Sequence, residues 1–378
     1  MKQYLENIQL DFLIEKYGKD YKIEIQRLKN QSLVSDKFKT EFNKFYASTE
    51  KEIIKLEDYV SDQFSRLKIV RTQYSIIAQD LIFDSVFQKV YKTVEKLNYD
   101  LKDIPYFGTA ISSEYNAFAC SPPNSDEKLI VFESELFIIA NLFSKIIAKS
   151  IPLEDKGKNI GFNLNESSLD AHLKTNKEVY EAFFDLMYNT SFLGEPSKTK
   201  QYFIEPLYTN LYLQFLNSFE IFVAGHEFGH IIAGHLNNSS SIKTICKKEI
   251  DLIDTNWKEE FEADAIGLNI LINSLDSTNL SPFCYAGADL FFSLLDIDER
   301  VYNFIKKGVD KKDEGSQTHP PAGERKKHIR YYLNNVLKDT DRDAYNMFVD
   351  FLDMIIEKHW LRMKNDIIKE FKRQIENR

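Results

Sequence analysis

Residues 207 to 236, LYTNLYLQFLNSFEIFVAGHEFGHIIAGHL, are the longest weakly charged stretch of the chain, and within them stands His226-Glu227-Phe228-Gly229-His230. Such a run is expected to fold as one buried helix, which then has to bury two histidines and a glutamate. Residues four apart on an α-helix lie one above the other on the same face, so His226 and His230 can aim two imidazole nitrogens at one point. That arrangement suits a metal ion, Zn2+ above all. Glu227, about a quarter turn away, is placed to take a proton from a water beside that ion. The pattern alone also occurs where two helical histidines merely pack.

A catalytic zinc takes three protein ligands and keeps one position open. His235, nine residues after His226, projects from the opposite side of a continuous helix and is a poor third ligand. Ala233 and Leu236 occupy the positions where the metzincin pattern needs Gly and His, and the Asn-Pro…Leu-Asp-Gly run of site-2 membrane proteases is absent. A better third ligand is Glu260, in Trp257-Lys258-Glu259-Glu260-Phe261-Glu262-Ala263-Asp264-Ala265-Ile266-Gly267. Here Phe261, Ala265, Leu268 and Ile272 recur with helical period. Glu260 and Asp264 then share a face, with Ala263 and Gly267 as small neighbours that let another helix come close. Asp264 is expected to accept the free N–H of a ligating histidine. An ordinary acidic surface helix would carry the same glutamates. Further on, Thr318-His319-Pro320-Pro321-Ala322-Gly323-Glu324-Arg325 reads as a rigid turn able to hold a donor over the metal, where an oxyanion develops. A plain helix-starting Pro turn is the alternative.

The set HEFGH, EFEAD and THPPAGER resembles the gluzincin peptidases of the CaaX prenyl protease and HtpX type, and among these it is most similar to the soluble phage-exclusion proteases of the Lit type. The resemblance covers roughly the second half of the chain and one upstream strand pair. It implies zinc bound by His226, His230 and Glu260, Glu227 as base, Asp264 behind a ligand, and His319 with Arg325 as stabilisers of the transition state. It also implies a cytosolic endopeptidase with a protein substrate, a phage-derived or host activator, and a part in antiviral defence.

The upstream pair is Tyr115–Cys120 and Lys128–Leu136, two β-prone runs joined by Ser-Pro-Pro-Asn-Ser. In those families a similar Asn-Ala-Phe-Ala strand forms the sheet edge beside the active site. Asn116, Ala117, Phe118 and Ala119 are therefore expected to bind substrate as an added strand, with a core hairpin as the bland alternative.

The rest of the chain frames this core. Residues 1–104 are expected to form an added N-terminal helical region, 105–336 a zincin-like core with a small sheet and an insertion at 151–206, and 337–378 a C-terminal helix. The fold class is α+β, mainly helical. A net charge of −9 argues against a nucleic-acid partner. Glu133, Glu135 and Lys145 in one apolar run, and Glu220 and Glu227 in the other, argue against membrane spans. No apolar leader opens the chain, and three scattered cysteines without CxxC spacing suit a reducing cytosol. His172, His328 and His359 lack ligand spacing and are expected at the surface. Two rival functions are a zinc-binding adaptor working through its helical region and a regulatory protease that cleaves a repressor.

Overall fold

The computed structural model describes residues 1–29, 69–75, 77–155, 160–236, 242–244, 257–274, 282–312 and 320–376. In chain order they form α1 (Lys2–Tyr17), α2 (Tyr21–Lys29), α3 (Ile77–Lys96), β1 (Tyr106–Ala110), β2 (Ala117–Cys120), β3 (Leu129–Glu133) and α4 (Ser134–Ser150). There follow β4 (Leu153–Asp155), β5 (Ile160–Phe162), α5 (Glu166–Thr175), α6 (Lys177–Met187), α7 (Pro206–Ile232) and β6 (Ile242–Thr244). The chain closes with α8 (Trp257–Ser274), α9 (Ala286–Lys307), α10 (Ala322–Val336) and α11 (Asp339–Glu376). The architecture is mainly helical with a small sheet, as expected. The charged run from 35 to 67, read as helical, lies outside the described residues. Among the described residues no helix is long and apolar enough to cross a membrane.

Contacts divide the chain into two units, Met1–Phe137 with Tyr202–Thr209 and Glu220–Ser274, and Ile138–Gln201 with Asn210–Phe219 and Leu275–Arg378. The borders expected after 104 and 336 fall inside these units, and α4 and α7 each contribute residues to both.

The first unit is built on the sheet, whose order is β1-β3-β2-β6. β2 and β3 form the expected antiparallel hairpin, with Ala117 opposite Phe132 and Cys120 opposite Leu129. The second run stops being a strand at Glu133, because Ser134 starts α4. β1 pairs parallel to β3, which the sequence reading did not anticipate. Every residue of β2 and β3 is buried, so the sheet is covered on both faces. The alternation of side chains sorts the two layers. On one face Phe118 and Val131 join Leu5 of α1, whose side chain lies so close over Gly108 that a Cβ there would sit 2.3 Å from it. On the other, Phe83 and Phe87 of α3 pack on Phe107 and Phe132. Phe87 also reaches Phe228 of α7, at 5.0 Å between ring centres. That contact ties the histidine helix to the sheet.

In the second unit, α9 and α10 are joined by the buried Asp289. Its carboxylate accepts from Arg330 Nε at 2.6 Å and Nη2 at 2.8 Å, a two-pronged charge-assisted pair. Gly287 of α9 allows direct contact with the 210–219 segment, since a Cβ there would lie 2.2 Å from the Phe219 nitrogen.

His359 corrects an expectation. Rather than lying at the surface it is 1% exposed, stacked on Phe183 and hydrogen-bonded to Ser150 Oγ at 2.8 Å. Ser150 gives its own hydrogen to the Ile146 carbonyl, so His359 Nε2 is the donor. Helical position on α11 decided this, because the apolar stripe Phe348, Phe351, Leu352, Ile355 and Ile356 continues through residue 359. Burial, with Arg362 adding to it, lowers the His359 imidazole to about 3. The unfolded chain takes up this proton near pH 6.5 and the folded chain does not, so the stabilisation is full above about pH 6.5 and is lost as pH falls toward 3. His359→Phe is accordingly expected to flatten the fall of thermal midpoint between about pH 7 and about pH 4.5 relative to wild type. Parallel curves would remove His359 as a source of acid lability.

Candidate metal centre

The centre belongs to the first unit, where α7 carries His226, Glu227 and His230 and α8 carries Glu260 and Asp264. What brings the two helices together is an absence of side chains. Gly225 and Gly229 on α7 face Ala263 and Gly267 on α8, each pair spaced by four and so aligned on one helix face. A Cβ on Gly225 would lie 3.1 Å from the Gly267 Cα, and one on Gly229 would lie 2.8 Å from the Ala263 carbonyl oxygen. A Cβ on Gly267 would lie 2.7 Å from the His226 nitrogen. The helices therefore meet backbone to backbone beside the histidines, as the small residues of α8 led one to expect.

This contact sets the geometry of the polar groups. His226, Glu227, His230, Glu260 and Asp264 are all fully buried. His226 Nδ1 lies 2.9 Å from Asp264 Oδ1. A carboxylate accepts, so Nδ1 donates and His226 keeps a lone pair on Nε2. That atom is 3.0 Å from His230 Nε2 and 3.7 Å from Glu260 Oε2, while His230 Nε2 is 3.4 Å from Glu260 Oε1. The rings stand at 88° to each other. Burial lowers the His226 imidazole to about 4, against the opposing pull of Asp264, so the ring is neutral and its lone pair available near pH 7.

These distances bear directly on whether the residues fit a cation. Four donors arranged tetrahedrally about 2.1 Å from one ion are separated by roughly 3.4 Å, and 3.0, 3.4 and 3.7 Å bracket that value. Without an ion, lone pairs and a carboxylate would converge on one buried point, which Coulomb repulsion in a low dielectric opposes. The buried group His226, His230 and Glu260 can hold a metal ion.

Glu227 sits on the same helix one position beyond His226. Its negative charge is felt by Cys120 at the end of β2, where burial first and Glu227 in addition push the thiol up to about 12. Cys120 is therefore held toward its protonated form. β2 is thus near Glu227, but of the edge expected at Asn116, Ala117, Phe118 and Ala119 the last two positions are already paired. β6 pairs antiparallel with β2, setting Phe118 opposite Thr244, Ala119 opposite Lys243 and Cys120 opposite Ile242. With Ile242–Thr244 as β6, Phe118–Cys120 are paired on both sides and β1 and β6 end the order.

Of the third motif, His319 lies outside the described residues. Pro321 caps α10, and Arg325 in its first turn belongs to the second unit. Arg325 is 2% exposed, with its guanidinium 4.8 Å from the ring centre of Phe292.

His235 is the side chain beside the centre that periodicity misplaced. α7 ends at Ile232 and does not continue to 236. Gly234 takes a left-handed φ of 76°, its N–H reaches the Ile231 carbonyl, and the His235 N–H reaches the His230 carbonyl at 3.0 Å. These two bonds make a Schellman motif. The turn brings His235 Nδ1 to 2.9 Å from His230 Nδ1, and His235 Nε2 to 3.2 Å from Glu262 Oε2. The glycine at 234 was the available signal, since glycine just past a helical run marks its end.

Comparison with protein-family models, curated proteins and solved structures gives no match for the chain.

Gly229→Ala and Gly267→Ala are each expected to lower stability by about 1–3 kcal/mol, since the added methyl meets backbone that cannot yield. Both should weaken metal uptake, whereas Gly323→Ala, which meets nothing within 4 Å, should not lower stability and should leave metal uptake unchanged. Chemical denaturation with metal analysis of the same preparations checks this, and full metal affinity in Gly267→Ala would show that helix proximity does not set the site.

Proposed function

We propose that the chain is a zinc-dependent endopeptidase with a zincin-like core. The observation that carries this reading is the convergence of His226 Nε2, His230 Nε2 and the Glu260 carboxylate on one buried point, with a second buried carboxylate, Glu227, next to the first ligand. A structural zinc would be closed by a fourth side chain, whereas three ligands leave a position for water. Zinc, when bound, supplies a Lewis acid that activates water toward a peptide carbonyl.

Glu227 takes the proton of the attacking water and returns it to the leaving amine. Asp264 holds the His226 ring with its Nδ1 hydrogen directed away from the metal. His319 and Arg325 keep, on the motif alone, the role of stabilising the oxyanion. The resemblance in motifs further supports a protein substrate in the bacterial cytosol and a setting in phage defence, with cleavage triggered by a phage-derived or host activator. A peptide that added to the sheet as a strand would do so at β6, or at β2 after displacing β6, since Ile69 and Val70 already lie along Phe107 of β1.

Glu227→Gln is expected to bind zinc as wild type does and to lose at least about 100-fold in cleavage, the range in which a positioned base contributes. Glu260→Ala is expected to lose most of its zinc. Metal content by mass spectrometry reads the second, and new protein N-termini in bacterial cells expressing either chain, with and without phage, read the first. Termini that persist in Glu227→Gln would exclude Glu227 as the base. Wild-type zinc content in Glu260→Ala would remove Glu260 from the ligands.

A further inference from the structure

The Schellman end of α7 does more than stop the helix. In that motif the residue after the left-handed glycine folds back over the residue five positions earlier, and an apolar contact usually fills this place. Here the two positions are His235 and His230, and the apolar contact is replaced by a hydrogen bond of 2.9 Å between their Nδ1 atoms. His235 in turn contacts Glu262 at 3.2 Å, on the same helix as Glu260 and Asp264. The His235 side chain is only 7% exposed, while Glu262 stands half in solvent at 52%.

With both Nε2 atoms carrying lone pairs, as ligation of a metal requires, one placement of hydrogens satisfies this chain of contacts. The Glu262 carboxylate accepts from His235 Nε2–H. His235 Nδ1 therefore carries the lone pair and accepts from His230 Nδ1–H. His230 Nε2 is then left with its lone pair directed at His226 Nε2 and Glu260. On the other histidine, Asp264 does the same to His226 in one step. The two ligands are thus oriented by unlike devices, a buried carboxylate for His226 and a relay through a second imidazole to a surface carboxylate for His230.

We propose that His235 is a positioning residue for the metal centre, holding His230 in the tautomer and ring orientation that ligation requires, and that Glu262 holds His235 in turn. The inference rests on the zinc reading given above. It assigns His235 no ligand role, since its Nδ1 is spent on His230 and its Nε2 on Glu262. Gly234 belongs to the same device, because a side chain at φ 76° would strain the turn that delivers His235.

The test is zinc affinity of the full chain, measured by competition with a chromophoric chelator, with circular dichroism of each metal-free variant confirming the fold. His235→Leu is expected to weaken zinc binding by about 10- to 100-fold, as removal of an outer-shell partner typically does. His235→Asn, whose Oδ1 stands where Nδ1 stood, is expected to recover most of that loss. Glu262→Leu should cost less than His235→Leu and should add nothing in the His235→Leu background, because the relay is then already broken. Zinc bound by His235→Leu as tightly as by wild type, an Asn variant as weak as the Leu variant, or additive losses in the double variant would each overturn the assignment. A wild-type chain that takes up no zinc overturns the zinc reading and this inference with it, whereas wild-type binding matched by His235→Leu overturns this inference alone.

Discussion

The close approach of α7 and α8 is the constraint on which the rest of the site depends. With Gly225 against Gly267 and Gly229 against Ala263, the helices touch through backbone atoms, at separations that any added Cβ would have to push apart. Ligand distances near 3.4 Å tolerate little of that, because donors must stay within a few tenths of an ångström of a common point to share one ion. The small residues cost helix stability, since glycine inside a helix is unfavourable by about 1 kcal/mol relative to alanine. Packing recovers it. Phe228, between the two glycines and next to Gly229, is held by Phe87 of α3, so the same helix is tied to the sheet on a second side.

Burial then decides the chemistry available. Five ionisable side chains without exposure form one cluster, and such a cluster survives only when charges are matched and hydrogens are shared in order. Desolvation keeps His226 neutral, Asp264 takes its Nδ1 hydrogen, and His235 stands in the equivalent place behind His230. A cation would complete the arithmetic, because the neutral His226 offsets none of the negative charge that Glu260 brings once it is ionised as a ligand. Cys120, on the neighbouring strand, has its thiol held toward the protonated form by burial and by Glu227.

The sheet shows where local reading fell short. Two runs of β-prone residues with a Pro-Pro-Asn turn were legible as a hairpin, and that hairpin is present. Its place in the sheet was not legible, because strand order depends on partners far along the chain. β1 joins in parallel from the N-terminal side and β6 arrives more than a hundred residues later. β6 is three residues of unremarkable composition, Ile242-Lys243-Thr244, and its pairing with Phe118–Cys120 is what turns an expected edge into an interior strand. His359 makes the same point in the second unit, where the apolar stripe of α11 encloses it against Ser150 and Phe183.

By itself the sequence determined which residues can share a metal site, because helical spacing is a local property: a spacing of four from His226 to His230, and from Glu260 to Asp264, places each pair on one face whatever surrounds the helix. It also carried the condition for their meeting, in the small residues at 225, 229, 263 and 267. Only the tertiary structure decided that β2 is paired on both sides, that Arg325 packs on Phe292 within the second unit, and that His235 lies behind His230. These are consequences of where a helix stops and which distant segment docks beside it. Such outcomes are set by the balance of burial and backbone hydrogen bonding over the folded chain, which no periodicity within one element records.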